Sequence, residues 1–294
     1  MPDSPFDVSV QDSVATVTFT RPATRNRFTM QMCLELGAFF DRINADDEIR
    51  VVILTGSGSA FCAGADLSEG FIGATELTAE QEATVARVGE VDGVSRDPGG
   101  WLALKIARSL KPVIVAFNGD AVGIGVTMAL PADIRIAAES ARFGFVFARR
   151  GIVPEAASTW FLPRLVGIAQ AVEWVMTGRI FDADEALRGG LVSAVVPDDQ
   201  LLDKARALAA EIVANTSAIS VAAARRMLWH GLELSSPWYA HADESHGMRT
   251  MAGTPDGQEG VLSFLEKRPA RFPMSVADDL PGFVPDWPTR PDEL

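Results

Sequence analysis

The chain has 294 residues, 48% of them hydrophobic, which is enough for a sizeable core and too rich for disorder. Its formal net charge of −13 argues against nucleic acid or an anionic membrane as a partner. The only cysteines, Cys33 and Cys62, form no motif and exclude a disulfide framework.

The opening MPDSPFDVSVQD has no basic n-region and no apolar h-region, and no apolar run approaches a membrane span. The expectation is a soluble, cytoplasmic protein. Phe6–Val10 and Val14–Thr20 alternate around Gln11-Asp12-Ser13, which predicts an antiparallel hairpin stopped by Arg21-Pro22. A short loop, Thr24–Phe28, then carries Arg25 and Arg27. Thr29 caps a helix whose apolar positions Met32, Leu36, Phe39, Phe40 and Ile43 share one face.

Val51–Leu54 is a buried strand that runs into Thr55–Leu67, TGSGSAFCAGADL. The spacing G-x-S-x-G is absent, so its serines are not a nucleophile elbow. Residues 68–100 are less regular, with Gly89, Gly93 and an Asp97-Pro98-Gly99-Gly100 break, and suit a mobile lid or substrate pocket. Trp101–Leu110 is a helix leading into Lys111–Leu130, KPVIVAFNGDAVGIGVTMAL.

Within that stretch Val113–Phe117 predicts a strand buried on both faces. Gly119, Gly123 and Gly125 punctuate a loop, and Val126–Leu130 predicts a buried helix ended by Pro131. The glycine spacing is neither a dinucleotide fingerprint nor a P-loop. A strand that breaks into glycines and restarts as a helix aims backbone N–H groups, and the positive end of the helix dipole, at one point. The Thr55–Leu67 and Lys111–Leu130 stretches share this plan, so two loops can present two donors to one atom.

Ile134–Ala138 is a further strand, and Arg142–Phe147 opens another apolar segment. Arg149–Gly167, RRGIVPEAASTWFLPRLVG, places Glu155 among Ile152, Val153, Ala156, Ala157, Trp160 and Phe161. Such a carboxylate is either a first-turn helix residue after Pro154 or a buried acid with a raised pKa. Asp182 and Glu185 form a capping pair, and Leu191–Val196 is the last strand. Leu201–Asn215, Ala218–Leu232, Trp238–Met251 and Pro255–Glu266 predict four helices. Their organisation divides the chain into a core over 1–197, a helical domain over 198–268 and a proline-rich tail over 269–294, extended on the surface or frayed. His230, His241 and His246 have no zinc spacing, so no metal site is expected.

Five stretches in order, namely Phe61–Leu67, Lys111–Gly125, Phe143-Gly144, Pro154–Gly167 and Asp256–Arg268, resemble the crotonase superfamily, the enoyl-CoA hydratase/isomerase family, over roughly residues 6–272. The resemblance implies an α/β crotonase-type spiral of ββα units with a helical C-terminal trimerisation domain. It implies a homotrimer or hexamer and an acyl-CoA thioester as substrate, with coenzyme A part of that substrate and no separate cofactor. By the same resemblance the thioester oxygen meets the N–H groups of Ala65 and Ile124. Coenzyme A passes Arg25, Arg27, Ala63, Asp66, Leu67, Ser68 and Gly123, and Lys267 or Arg268 reaches its phosphates, from the neighbouring subunit or the same one. The two glutamates of family hydratases fall at Thr127 and Phe147, so both carboxylates are missing. A single-acid branch, the Δ3,Δ2-enoyl-CoA isomerases, places its acid at Glu155. The implied reaction is transfer of a double bond from the 3- to the 2-position through a dienolate. Hydration by Glu155 alone and non-catalytic acyl-CoA binding are the alternatives.

Overall fold

The structure, a computed structural model, describes residues 4–66 and 79–292. β1 (Phe6–Gln11) and β2 (Val14–Phe19) form the expected hairpin, with Phe6 opposite Phe19. Thr29 accepts the Met32 N–H and so starts α1 (Met30–Ile43), whose buried stripe includes Met32, Leu36, Phe39, Phe40 and Ile43.

The chain then makes three similar passes: β3 (Val51–Gly56) with β4 (Ala60–Cys62), β7 (Val113–Phe117) with β8 (Asp120–Val122), and β9 (Ile134–Ala138) with β10 (Arg142–Gly144). The first strand of each pass joins a six-stranded sheet ordered β1-β2-β3-β7-β9-β12, closed by β12 (Ala194–Val196). The second joins a four-stranded sheet ordered β11-β10-β8-β4, with β11 (Ile180–Asp182) at its edge. Between the first two passes lie α2 (Ala79–Val88), the small hairpin β5 (Glu90–Val91) and β6 (Val94–Ser95), and α3 (Pro98–Ala107). This is a spiral of ββα units, and the fold is mixed α/β.

The continuous apolar strands have the reason anticipated for them. Val51, Ile53, Ile114, Ala116, Ile136 and Ala138 face α8 (Leu201–Asn215) and pack on its Leu201, Ala205 and Ala209. The alternate residues Val52, Leu54, Val113, Val115 and Phe117 enter the main core on the opposite face. There an edge-to-face ladder climbs the spiral, Phe19–Phe61–Phe117–Phe143, with ring centroids 5.2, 4.9 and 5.0 Å apart.

Three local expectations change. α4 (Ile124–Thr127) is a single turn and does not run on to Leu130. The Asp97–Gly100 stretch is not a break. It is the cap and first turn of α3, with Asp97 accepting from Gly99 N and Gly100 N. α5 (Ser158–Val166) and α6 (Ile168–Thr177) start beyond Glu155. Asp182 caps α7 (Ala183–Arg188) as anticipated.

After α8, the helices are α9 (Ala218–Gly231), α10 (Pro237–Ala252), α11 (Pro255–Glu266) and the one-turn α12 (Val276–Asp279). Buried Arg225 of α9 ties them to the core. It bonds Asp133 Oδ2 at 2.8 Å and the carbonyls of Ala107 and Ser109 at 2.6 Å, at the end of α3. Its guanidinium thereby serves carbonyls that the helix itself leaves open. The tail is packed rather than frayed. Trp287 is 2% exposed and stacks on Trp229 at 5.6 Å and 6° between planes. No single described helix is long and apolar enough to cross a membrane.

Candidate active site

Two glycine-rich turns meet beside the small sheet. β4 and β8 are parallel neighbours, so the chain leaves both in one direction. Beyond them the turns touch. A Cβ on Gly125 would strike the Cys62 carbonyl, and one on Gly123 would stand 3.9 Å from Gly64 Cα. Gly64 and Gly123 also have φ of 110° and 57°, which side chains resist.

Each turn leaves a donor without an acceptor among the described residues. Phe28 N–H donates to Gly64 O and Asp66 N–H to Phe28 O, both at 2.9 Å, which turns the intervening Ala65 N–H to the other side. Gly123 N–H goes to Gly144 O at 2.9 Å, and the Val126 and Thr127 N–H groups go to Gly123 O at 3.0 Å. Ile124 lies between them, and among the described residues its N–H has no acceptor. Because α4 is one turn long, what it offers is this local N–H, not the summed dipole of a long helix.

Glu155 stands outside any helix. Ala156 and Ala157 after it are both left-handed, at φ 60° and 52°, and the Ser158 N–H closes the turn on Glu155 O at 3.0 Å. The first-turn role is therefore not realised, and the carboxyl turns inward. Oε1 is hydrogen-bonded to the Thr127 hydroxyl. Oε2 is sealed from solvent, meets no donor among the described residues and lies over Gly99. A Cβ on Gly99 would collide with that oxygen and stand 3.1 Å from Ile124 Cδ1, so Glu155 and Ile124 share one wall.

Burial pushes the Glu155 carboxyl up to about 8, helped by the negative charge of Asp97 and opposed by the Thr127 hydrogen bond. Asp97 is held by three backbone donors. Oδ1 accepts from Gly99 N at 3.0 Å, and Oδ2 accepts from Gly100 N at 2.6 Å and Ala156 N at 3.0 Å. It fastens the start of α3 to the turn that carries Glu155. The two cysteines are buried nearby. Desolvation raises Cys33 well above its usual range and Cys62 to about 12, so neither thiol is a nucleophile at neutral pH. Among the described residues, no three His, Cys, Asp or Glu side chains are placed to hold a metal ion.

The structure thus gathers Glu155, Thr127, Gly123, Ile124 and the Ala65 turn. Thr127 is fully buried against Glu155, and Phe147 is a core residue at 5% exposure. The 25–28 loop runs alongside residues 63–66, with Ala63 N–H donating to Arg25 O at 3.0 Å. The exposed Arg25 pairs with Asp120, Asp66 is buried and pairs with Arg21 at 3.4 Å, and Arg27 is exposed and in no ion pair among the described residues. Leu67 and Ser68 lie outside the described residues. Lys267 is exposed at the left-handed end of α11, and no hydrogen bond or ion pair joins it to the Glu155 cluster. Arg268 is committed to Glu259 and Glu266. Sequence reasoning missed Asp97 and Gly99, although Asp before Pro is a helix-start signal.

The family described as Enoyl-CoA hydratase/isomerase matches residues 9–274. The chain is 40% identical over 262 residues to Enoyl-CoA hydratase ACTT3 of Alternaria alternata, covering 89% of this chain and 83% of that one. It is 33% identical over 264 residues to the 1,2-epoxyphenylacetyl-CoA isomerase of Escherichia coli K12, covering 90% and 96%. The solved structure of enoyl-CoA hydratase from Bacillus anthracis superposes with a TM-score of 0.80 at 32% identity, covering 92% of this chain and 99% of that one.

Proposed function

The chain belongs to the enoyl-CoA hydratase/isomerase family, and on that premise we propose that it shifts the double bond of an enoyl-CoA thioester from the 3- to the 2-position. Glu155 takes a proton from C2. The electron pair of that C–H bond moves into the conjugated system and puts negative charge on the thioester oxygen. The N–H groups of Ala65 and Ile124 receive that oxygen, and loss of one such donor costs roughly 3–4 kcal/mol in enzymes of this kind. Glu155 then returns the proton at C4, and the double bond lies between C2 and C3. The protein gains and loses no atoms.

The observation that carries this reading is one buried carboxyl aimed at the wall that Ile124 shares. One oxygen of Glu155 is tied to Thr127, and the other is buried, meets no donor among the described residues and stands beside Ile124. A two-acid hydration mechanism needs carboxylates at both other positions, which hold Thr127 and Phe147. Asp97 stands at neither position; it accepts three backbone N–H groups and lies against the Glu155 carboxyl, whose pKa it helps to raise. A buried acid raised to about 8 suits proton abstraction at neutral to mildly alkaline pH. Coenzyme A would run along the 25–28 and 63–66 strips, with Arg27 available to its phosphates. Exposed apolar side chains on α9 to α11 support self-association of the chain.

A second reading, hydration with Glu155 as sole acid and base, is favoured by the name of the Alternaria relative. The test is turnover of 2-enoyl- and 3-enoyl-CoA panels in oxygen-labelled water, by wild type and Glu155→Gln. Isomerisation without label uptake, lost in the variant, is expected. Label in the product would establish hydration, and wild-type rates in Glu155→Gln would remove Glu155 from either role.

A further inference from the structure

Thr127 fills the position of a missing hydratase acid, yet it is not idle. Its hydroxyl reaches two acceptors, Glu155 Oε1 and the carbonyl of Gly123 at 3.2 Å. A hydroxyl has one hydrogen, so it serves one of them at a time. The Gly123 carbonyl and the Ile124 N–H belong to one peptide group, and that N–H has no acceptor among the described residues. A hydrogen bond to the oxygen of a peptide polarises its N–H and strengthens what that N–H donates.

We infer that Thr127 is a positioning residue that couples the charge on Glu155 to the strength of the Ile124 amide as an oxyanion donor. The inference rests on the reading of Glu155 as the base. When Glu155 is ionised, it holds the Thr127 hydrogen, because a charged acceptor binds about twice as strongly as a neutral one. When Glu155 has taken the C2 proton it is neutral and loosens its hold. The hydrogen turns to the Gly123 carbonyl. The Ile124 N–H then strengthens while the thioester oxygen carries its charge. Return of the proton to C4 restores the charge on Glu155 and draws the hydrogen back. The C2–H bond breaks, the C4–H bond forms, and Thr127 keeps its own hydrogen throughout. The groups that face Glu155 are Asp97 at the start of α3, Thr127 on α4, Cys33 on α1 and Cys62 on β4. The two thiols remain protonated over the working range, so the titration of Glu155 is the one that moves the hydrogen.

The test uses Thr127→Val, which keeps the shape and removes the hydroxyl, and Thr127→Ser, which restores it. A non-isomerisable saturated acyl-CoA, isotopically labelled at its thioester carbonyl, is bound to each, and the carbonyl stretch is recorded by infrared difference spectroscopy. At about pH 6, where Glu155 is neutral, the wild-type band lies below that of the Val variant; at about pH 10 the two coincide. The Ser variant follows the wild type. Thr127→Val also loses about tenfold in kcat with KM little changed, a step of one decade in rate. A gap between the bands that is absent, or the same at every pH, overturns the coupling. Glu155→Gln separates the two readings. If it is inactive and the bands still fail to diverge, the base stands and the coupling falls; if it is fully active, the base itself falls.

Discussion

The carboxylate oxygen Oε2 of Glu155 rests over the Cα of Gly99, in space that any other residue would fill. Gly99 occupies the first turn of α3, where alanine is the better helix former by roughly 1 kcal/mol. Its φ is not in the left-handed region, so no backbone strain opposes a side chain there. What alanine meets is the end of a flexible side chain, which swings away. Gly99→Ala is therefore expected to keep or slightly raise thermal stability while lowering kcat by about a hundredfold, since misplacement of about 1 Å in a reacting group costs that much. Melting temperature and kcat measured together check this; a fall in both, or in neither, contradicts the placement of Glu155.

The pH dependence has a definite sign. Glu155 is raised in the fold to about 8 from an unfolded value of 4.5. Activity that needs its ionised form should rise about tenfold between pH 7 and pH 9. Stability runs the other way. The stabilisation from a protonated native carboxyl is complete below the unfolded value and is lost as pH rises through the folded one. Glu155→Gln, which cannot ionise, should match the wild type below about pH 4.5 and exceed it by up to about 4–5 kcal/mol near pH 9, measured by urea unfolding. Equal stability at both pH values would place the carboxyl in water.

How much of this was legible depends on whether the signal was local. The strands of the large sheet were legible because burial on both faces demands unbroken apolar runs, as in Val113–Phe117. Thr29 and Asp182 were legible as caps because one short oxygen meets one N–H within three residues. The turn carrying Glu155 was not, because Ala156 and Ala157 adopt left-handed backbone with no glycine or asparagine to announce it. Nor was the role of Asp97, whose third donor, Ala156 N, lies 59 residues further along the chain. The helix expected over Val126–Leu130 stops after one turn, at Thr127, and Val126, Met128, Ala129 and Leu130 beyond and within it are all buried.

Composition concealed the tail in the same way. Six prolines after residue 268 predict a tail extended on the surface or frayed, yet it is packed, with Val276 and Trp287 buried. Trp287 enters a box of Trp160, Phe161 and Trp229, and its Nε1 donates to Glu233 Oε1 at 2.8 Å. Arg226 bonds the Trp287 carbonyl. Trp160 and Phe161 belong to α5, which follows the Glu155 turn directly. Trp287→Ala is expected to lose about 3–5 kcal/mol, the usual cost of emptying a buried aromatic site. Denaturant unfolding checks the magnitude, and a loss below about 1 kcal/mol would mean that the tail contributes little to the fold.

The last helix carries a different kind of exposure. On α11, Val261, Phe264 and Leu265 are 63%, 81% and 69% exposed, and Leu228 of α9 and Trp238 of α10 are 74% and 77% exposed. Side chains of this size left in water together mark a surface that meets another chain. On the self-association proposed above, that chain is a second copy. Lys267 lies just beyond Phe264, in no ion pair among the described residues and unconnected to the Glu155 cluster of its own chain, and the proposed assembly would offer its ammonium to a neighbour's coenzyme A phosphates. Phe264→Asp should therefore do two things at once. Light scattering should report the mass of one chain, 31.5 kDa, in place of a multiple of it. KM for the CoA thioester should rise about tenfold, because a charge-assisted phosphate contact contributes roughly 1.5–3 kcal/mol. Lys267→Ala should reproduce the rise in KM while leaving the assembly intact. A monomeric wild type would remove the partner, and an assembled Lys267→Ala with unchanged KM would leave the phosphates to Arg27.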